Sequence, residues 1–289
     1  MSHKEYIYDD FIINNKIGEG SFASVYLSQD KHGNKFALKT EKKTDHESNL
    51  KKEYKIYVKL HKNGLKCIPK IYSYIKTSKN YIIVMELLKY SLENLFVKYD
   101  RKFKMGTVLK LGIEIISIME KIHDAGFIHR DIKPDNFMIG FDKKSLYIMD
   151  FGLSKEYIKN GKHIPHETGR ELIGTARYVS SFVNSSGITP SRRDDIISVG
   201  YMLIYFSLGK LPWQGLKKSK TKSSIDLIGD AKLYTKNSKL CQDLPYCFEK
   251  YLNYCYDLKF TETPDYDYLR KLFSDTAHEE KIKLEYEWR

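Results

Sequence analysis

Cysteine is scarce in this sequence. The four thiols, Cys67, Cys241, Cys247 and Cys255, show neither a CxxC pair nor the Cys/His spacing of a zinc site. Neither a structural zinc nor a disulfide framework is indicated, and reduced thiols fit the cytosol or nucleus. Long apolar runs are missing too. The N-terminus, MSHKEYIYDD, holds no stretch of signal-peptide type, and the most apolar segment, IISVGYMLIYFSL from Ile196, is too short to span a bilayer. It reads as a buried core helix, and no transmembrane segment is expected. There is no low-complexity tail and no internal repeat.

What is present describes a folded protein. Hydrophobic residues make up 42% and charged residues 30% of 289, which sets the chain apart from disordered sequences and allows one large domain or two lobes. The formal charge of +12 suits a partner rich in phosphate or carboxylate. AT-rich codon usage explains the excess lysine equally well, since Ile, Asn and 23 Tyr are abundant alongside it. Nucleic-acid binding needs clustered charge, so no stable nucleic-acid partner is expected.

The first part of the chain alternates strand and turn signals: FIINNKIGEGSF, ASVYLSQD, a KHGN turn, then FALKT. HESNLKKEYKIYVKLHKNG supplies one helix closed by Gly64, and IYSYIKT and YIIVMEL add two strands. Beyond Lys89 the period changes. Val108, Leu111, Ile115, Ile118 and Ile122 recur at helical spacing until Gly126, and the remainder is mainly helical. A sheet-rich lobe over 1–88, joined near Glu86 to Tyr90 to a helical lobe over 89–289, is expected.

The densest polar pattern is FIHRDIKPDNFMIG, where His129, Arg130, Asp131 and Asn136 give H-R-D-x-x-x-x-N. Asp150-Phe151-Gly152 follows the strand SLYIM, and this triplet gains weight from its place after Asn136. Upstream, FALKT puts Ala37 and Lys39 on one strand face and Phe36 and Leu38 on the other, because side chains alternate with period two. Glu53 lies near the apolar stripe of the following helix and can reach inward to a cation, with Glu47 as the competing carboxylate. Gly18-Glu19-Gly20 marks a turn whose backbone can approach a phosphate. No G-x-x-x-x-G-K-[ST] occurs anywhere, which argues against the P-loop route to nucleotides.

Together these pieces resemble the eukaryotic protein kinase fold. HRDIKPDNF, DFGLSK, GTARY, SRRDD, LPWQGLK, YLNYC and PDYDYL are similar to the casein kinase 1 family of serine/threonine kinases over nearly the whole chain. The resemblance implies an α+β, bilobal fold: a small antiparallel-sheet lobe with one helix and a larger, mainly helical lobe, forming a single kinase domain. It implies ATP and Mg²⁺ as cofactors. Asp131 is then the base for the substrate hydroxyl, Lys133 the neutraliser of the γ-phosphate, and Asn136 and Asp150 the magnesium ligands. Lys39, held by Glu53, would bind the α and β phosphates. Gly18 and Gly20 would cover the phosphates, Met85 gate the adenine pocket, and the backbone from Glu86 to Leu88 bind the base. Ile17, Val25 and Ala37 would line that pocket, although a plain core role suits them equally well. Asp195 resembles the helix aspartate that fixes the catalytic loop from below. Arg177, Gln214 and Gly215 would dock an acid or phosphate on the substrate.

The departures from that pattern are specific. Ala23 replaces the third glycine of the phosphate loop, which implies a stiffer or slightly displaced loop that still binds ATP. Ser180-Ser181-Phe182 replaces the usual S-I-N after GTARY, with about one extra residue before SRRDD, so the shape of the substrate-side loop is open. A lysine that completes the anion site in relatives falls at Ser224. Lys222 is near enough to substitute, while the run KKSKTK from Lys217 reads equally well as a solvated loop. Weaker phosphate priming is the expectation. The sequence closes on EYEWR, and an enzyme without an autoinhibitory tail is expected. The implied partners are acidic or phosphorylated protein substrates, with a monomer that is cytoplasmic and/or nuclear. The competing readings are a pseudokinase scaffold and a vaccinia-related or tau-tubulin kinase branch.

Overall fold

The structure is a computed structural model that describes residues 6–8, 11–20, 22–216 and 221–288. Lys217 to Lys220 of the charged run lie outside the described residues. The chain forms two compact units: Met1–Tyr90 with Met138–Gly152, and Ser91–Phe137 with Leu153–Arg289.

In the first unit, six strands form one antiparallel sheet in the order β1-β2-β3-β4-β6-β5. They are β1 (Tyr6–Tyr8), β2 (Phe11–Glu19), β3 (Ser24–Gln29), β4 (Lys35–Lys42), β5 (Ile71–Lys76) and β6 (Asn80–Glu86). Alternation along β4 divides its side chains as the pattern FALKT requires. Leu38 joins Ile82 and Val84 in a buried cluster, packed by Phe11, Ile13, Phe36 and Ile75. Ala37 and Lys39 take the other face, opposite Met85 and Ile83 of β6.

One helix, α1 (Asn49–Lys62), packs against β4, β5 and β6. Its start is doubly fixed. The Ser48 hydroxyl accepts from Lys51 N–H at 3.0 Å, and the Glu41 carboxylate accepts from the N–H groups of Asn49 and Leu50 at 3.0 and 2.9 Å. An anion at that end also meets the positive pole of the helix dipole. The buried stripe of α1 is Leu50, Glu53, Tyr57 and Leu60, so a carboxylate occupies a position that spacing assigns to the core.

The second unit is helical. Its helices are α2 (Leu92–Lys98), α3 (Met105–Asp124), α4 (Ser181–Ser186), α5 (Arg192–Leu208), α6 (Ser224–Tyr234), α7 (Asn237–Leu240), α8 (Cys247–Asp257) and α9 (Tyr266–Glu279). The α3 stripe named from the sequence is buried throughout, and α3 packs on both α5 and α9. Fifteen of the residues of α5 are buried, from Arg193 to Ser207, so this helix is covered on every side. Gly200 lets α8 approach it: a Cβ there would lie 2.8 Å from Tyr251 and Leu252. Ser191 N–H donates to the Asp194 carboxylate at 2.8 Å and starts the helix, and Gly209 ends it at φ +84°. Among the described residues, no helix is long and apolar enough to cross a membrane.

Candidate active site

The first unit gathers three charges. Lys39 Nζ on β4 lies 2.8 and 2.7 Å from the two carboxylate oxygens of Glu53 on α1, and 2.8 Å from Asp150 Oδ1. Glu53 is therefore the carboxylate that meets Lys39. Glu47 pairs with Lys52 at the surface instead, at 3.1 Å. Burial pushes the Glu53 carboxyl up, to about 7, against the pull of the Lys39 ammonium. Burial also works against the ammonium, yet the Glu53 and Asp150 carboxylates outweigh it and hold Lys39 above its ordinary value. These effects pull the pair in opposite directions. Two bonds of 2.8 Å or less from one nitrogen belong to the ionised pair, with Lys39 protonated.

Asp150 sits in left-handed backbone, at φ +65°, a costly conformation for a residue with a Cβ. Tyr57 helps to fix it. The fully buried Tyr57 hydroxyl accepts from Asp150 N–H at 3.1 Å, and its ring meets Phe151 edge-on at 5.0 Å.

The remaining candidates of this unit are spread along β2, β3, β4 and β6. Gly18 pairs with Val25 across the β2–β3 ladder, and Gly20 N–H donates to Ala23 O at 2.8 Å, closing the turn between them. Ala23 thus closes the loop through its carbonyl, which any residue could supply. Val25 pairs with Lys39, and Ala37 with Met85. Ile17 is 51% exposed, whereas Ala37, Met85 and Leu88 are buried. Glu86 N–H is already engaged by Lys70 O at 2.9 Å, and its carboxylate accepts from Lys70 N–H at 3.0 Å.

The second unit builds a cluster around Asp131. Lys133 Nζ donates to Asp131 Oδ2 at 2.6 Å, and the Thr175 hydroxyl donates to Oδ1 at 2.7 Å. The Asn136 amide nitrogen donates to the backbone oxygen of Asp131 at 2.8 Å and to its Oδ2 at 3.2 Å. The short 3₁₀ turn Pro134–Asn136 makes that return possible. Here lies a reason for crowding polar groups into HRDIKPDN: Asp131, Lys133 and Asn136 satisfy one another, so the buried part of the loop keeps its polar atoms paired.

Asp195, in the first turn of α5, holds the same loop from its backbone. Its carboxylate accepts from the N–H groups of His129 and Arg130 at 2.7 and 2.8 Å and lies 3.0 Å from His123 Nε2. Burial would push this carboxyl up, but those partners hold it below its ordinary value. Arg130 occupies the left-handed region at φ +71°, and the two amides that lead into this strain end on Asp195. Asp195→Ala strands two buried N–H groups and is expected to cost on the order of 3 kcal/mol. Urea unfolding measures it, and a loss below about 1 kcal/mol would mean that the loop does not depend on this anchor.

Sequence reasoning did not single out His123, Thr175 or Tyr57. His123 is a buried residue of α3 whose Nδ1 lies 2.6 Å from the Tyr266 hydroxyl. It links α9 to Asp195. The Arg177 guanidinium lies over the rings of Tyr178 and Tyr205, 5.7 and 5.6 Å from their centroids, with no carboxylate in ion-pair range among the described residues. Of its expected companions, Gln214 uses its side-chain oxygen to accept from Leu211 N–H at 2.6 Å, and Gly215 is exposed at φ +78°. Lys222 pairs with Asp230 at 2.5 Å.

Residues 11–261 match the family model for the protein kinase domain. The chain belongs to that family. The kinase is accordingly a phosphotransferase that uses ATP with a divalent metal ion. In the second unit, Asn136 commits its amide nitrogen to Asp131 and keeps its carbonyl oxygen as a donor; in the first, Asp150 carries a carboxylate, one oxygen of which meets Lys39. Among the described residues, no group of three His, Cys, Asp or Glu forms a metal cage. Few protein ligands, completed by phosphate oxygens and water, are how a small hard cation is held beside a nucleotide.

Proposed function

We propose that this kinase is a serine/threonine kinase of casein kinase 1 type, which transfers the γ-phosphate of Mg-ATP to acidic or phospho-primed protein substrates. The grip on Asp131 carries the reading. One carboxylate oxygen receives Lys133 and the other Thr175, so the base is fixed in direction before any substrate arrives. In the proposed reaction Asp131 orients the substrate hydroxyl and accepts its proton, while Lys133 stabilises charge on the transferred group. Lys39, braced by Glu53, binds the α and β phosphates. Asn136 and Asp150 are each assigned to magnesium, which would supply charge neutralisation to the phosphate oxygens. Ile17, Gly18, Gly20, Val25, Ala37, Met85, Glu86 and Leu88 are assigned to the nucleotide.

The preference for acids rests on Arg177. Its cation lacks an ion-pair partner among the described residues and lies on the loop that also supplies Thr175, two residues away. Gln214 and Gly215 complete the proposed anion site. Lys222, tied to Asp230, would join only by giving up that pair, which supports weak priming. Profiling a degenerate serine/threonine peptide library with purified protein and Mg-ATP tests this. Selection of Asp, Glu or phosphoserine upstream of the acceptor is expected. Tyrosine phosphorylation, or no selection for acids, would refute it.

A further inference from the structure

Lys232 has no role in the site described above, yet its environment is that of a functional group. It sits on α6, is only 4% exposed, and has no carboxylate partner among the described residues. Buried without a counter-ion, its ammonium is pushed down to about 7. Its Nζ instead reaches the backbone oxygens of Ala176 and Val179, both at 2.6 Å, and lies 3.4 Å from Asn184 Oδ1. Three oxygens around an ammonium match its three N–H bonds. The rings of Tyr201 and Trp213 cover the cation at 5.5 and 5.4 Å.

The carbonyl between those two is also held. Trp213 Nε1 donates to Arg177 O at 2.8 Å, so the oxygens of residues 176, 177 and 179 all end on buried donors. These residues run directly on from Thr175, which bonds to Asp131. Close packing places the ammonium there. Gly229 of α6 lies so near α4 that a Cβ would come 2.8 Å from Ser185 Oγ, and Asn184 donates to Ile225 O at 3.0 Å. A buried lysine is costly in a core that an apolar residue could fill, and what this one holds is the backbone of the substrate-facing loop.

We infer that Lys232 is a positioning residue: it clamps the Ala176–Val179 backbone and so sets the direction of Arg177 and Thr175 toward a peptide substrate. The inference rests on the assignment of that loop to the substrate, as proposed above. Its effect belongs to the peptide and not to ATP, because the hydrogen bonds and ring contacts of Lys232 among the described residues go to the loop, its flanking helix α4 and two covering rings.

Lys232→Met and Lys232→Gln are compared with the wild type in steady-state assays, varying either ATP or the best peptide that the library identifies. The methionine keeps the stem and removes all donors, while the glutamine keeps two. About a tenfold rise in peptide KM is expected for Lys232→Met and a smaller rise for Lys232→Gln, with the ATP KM within about twofold of wild type. Circular dichroism confirms folding, and if the methionine variant does not fold the glutamine variant decides. An unchanged peptide KM, or an ATP KM that rises in parallel, overturns the inference. If the wild type prefers a peptide without acids, the Arg177 assignment fails by itself, and the same comparison on that peptide still decides the role of Lys232.

Discussion

Asp131→Asn is expected to lower kcat by about 10²- to 10⁴-fold while leaving the KM for ATP nearly unchanged. The amide has the size and shape of the carboxylate, and its oxygen can still accept from Lys133. It cannot take a proton from a substrate hydroxyl. Its NH₂ group also turns a donor toward either Thr175 Oγ1 or Lys133 Nζ, both of which now donate to Asp131. The loop nevertheless keeps its other ties, because Asn136 also bonds to the Asp131 backbone and Asp195 holds the two preceding amides. Lost turnover with intact melting behaviour is the expected combination. Radiolabelled phosphate transfer to peptide measures the rate, and a decrease smaller than about threefold would remove Asp131 from the role of base.

Lys39→Met is expected to abolish nearly all phosphotransfer and to steepen the loss of stability as pH rises. Loss of a preorganised cation at a phosphate costs on the order of 10²- to 10³-fold in rate. The stability effect follows from Glu53, which is completely enclosed and would lose its cation while keeping the like-charged Asp150 and the Phe151 N–H beside it. With the ammonium gone, burial pushes this carboxyl above the value of about 7 that it has in the wild type. The folded state then holds a proton that the unfolded chain releases near 4.5, the ordinary value for this group. Protons bound in the folded state exceed those in the unfolded state from that point upward, so stability falls as pH rises toward the folded value. Forcing the carboxylate to ionise unpaired would cost about 3–5 kcal/mol, which bounds the decline. Melting temperatures of the variant at mildly acidic and mildly alkaline pH should differ in that direction, and Lys39→Met/Glu53→Gln should abolish the slope. A variant as stable in alkali as in acid would show that Glu53 finds another cation.

Much of this was legible in the sequence because the signals are local. Period two in FALKT separates Leu38 from Lys39, and the structure puts Leu38 in the buried cluster and Lys39 on the opposite face, against Glu53. Period 3.6 marks the buried face of α3, and the H-R-D-x-x-x-x-N spacing marks the loop that closes on itself through Asn136. The choice between Glu47 and Glu53 needed the fold, since both lie within reach of an apolar stripe and only packing decides which one turns inward. His123 and Lys232 needed it even more. Each is a single polar residue in a helical run, and its partners lie far along the chain: Asp195 and Tyr266 for the first, Ala176 and Val179 for the second. Nothing in helical periodicity distinguishes a buried polar group with distant partners from one that simply faces solvent.

The enclosure of α5 bears on how this enzyme can adapt. Because Asp195 ties the His129 and Arg130 amides to a rod with no free side, the chemical loop inherits the stiffness of the molecular interior and can shift only when that interior opens. Evolutionary or engineered tuning of substrate choice is thereby displaced onto the periphery, where α4, α6 and the segment between them and Asp131 can be reshaped without disturbing Asp131 itself.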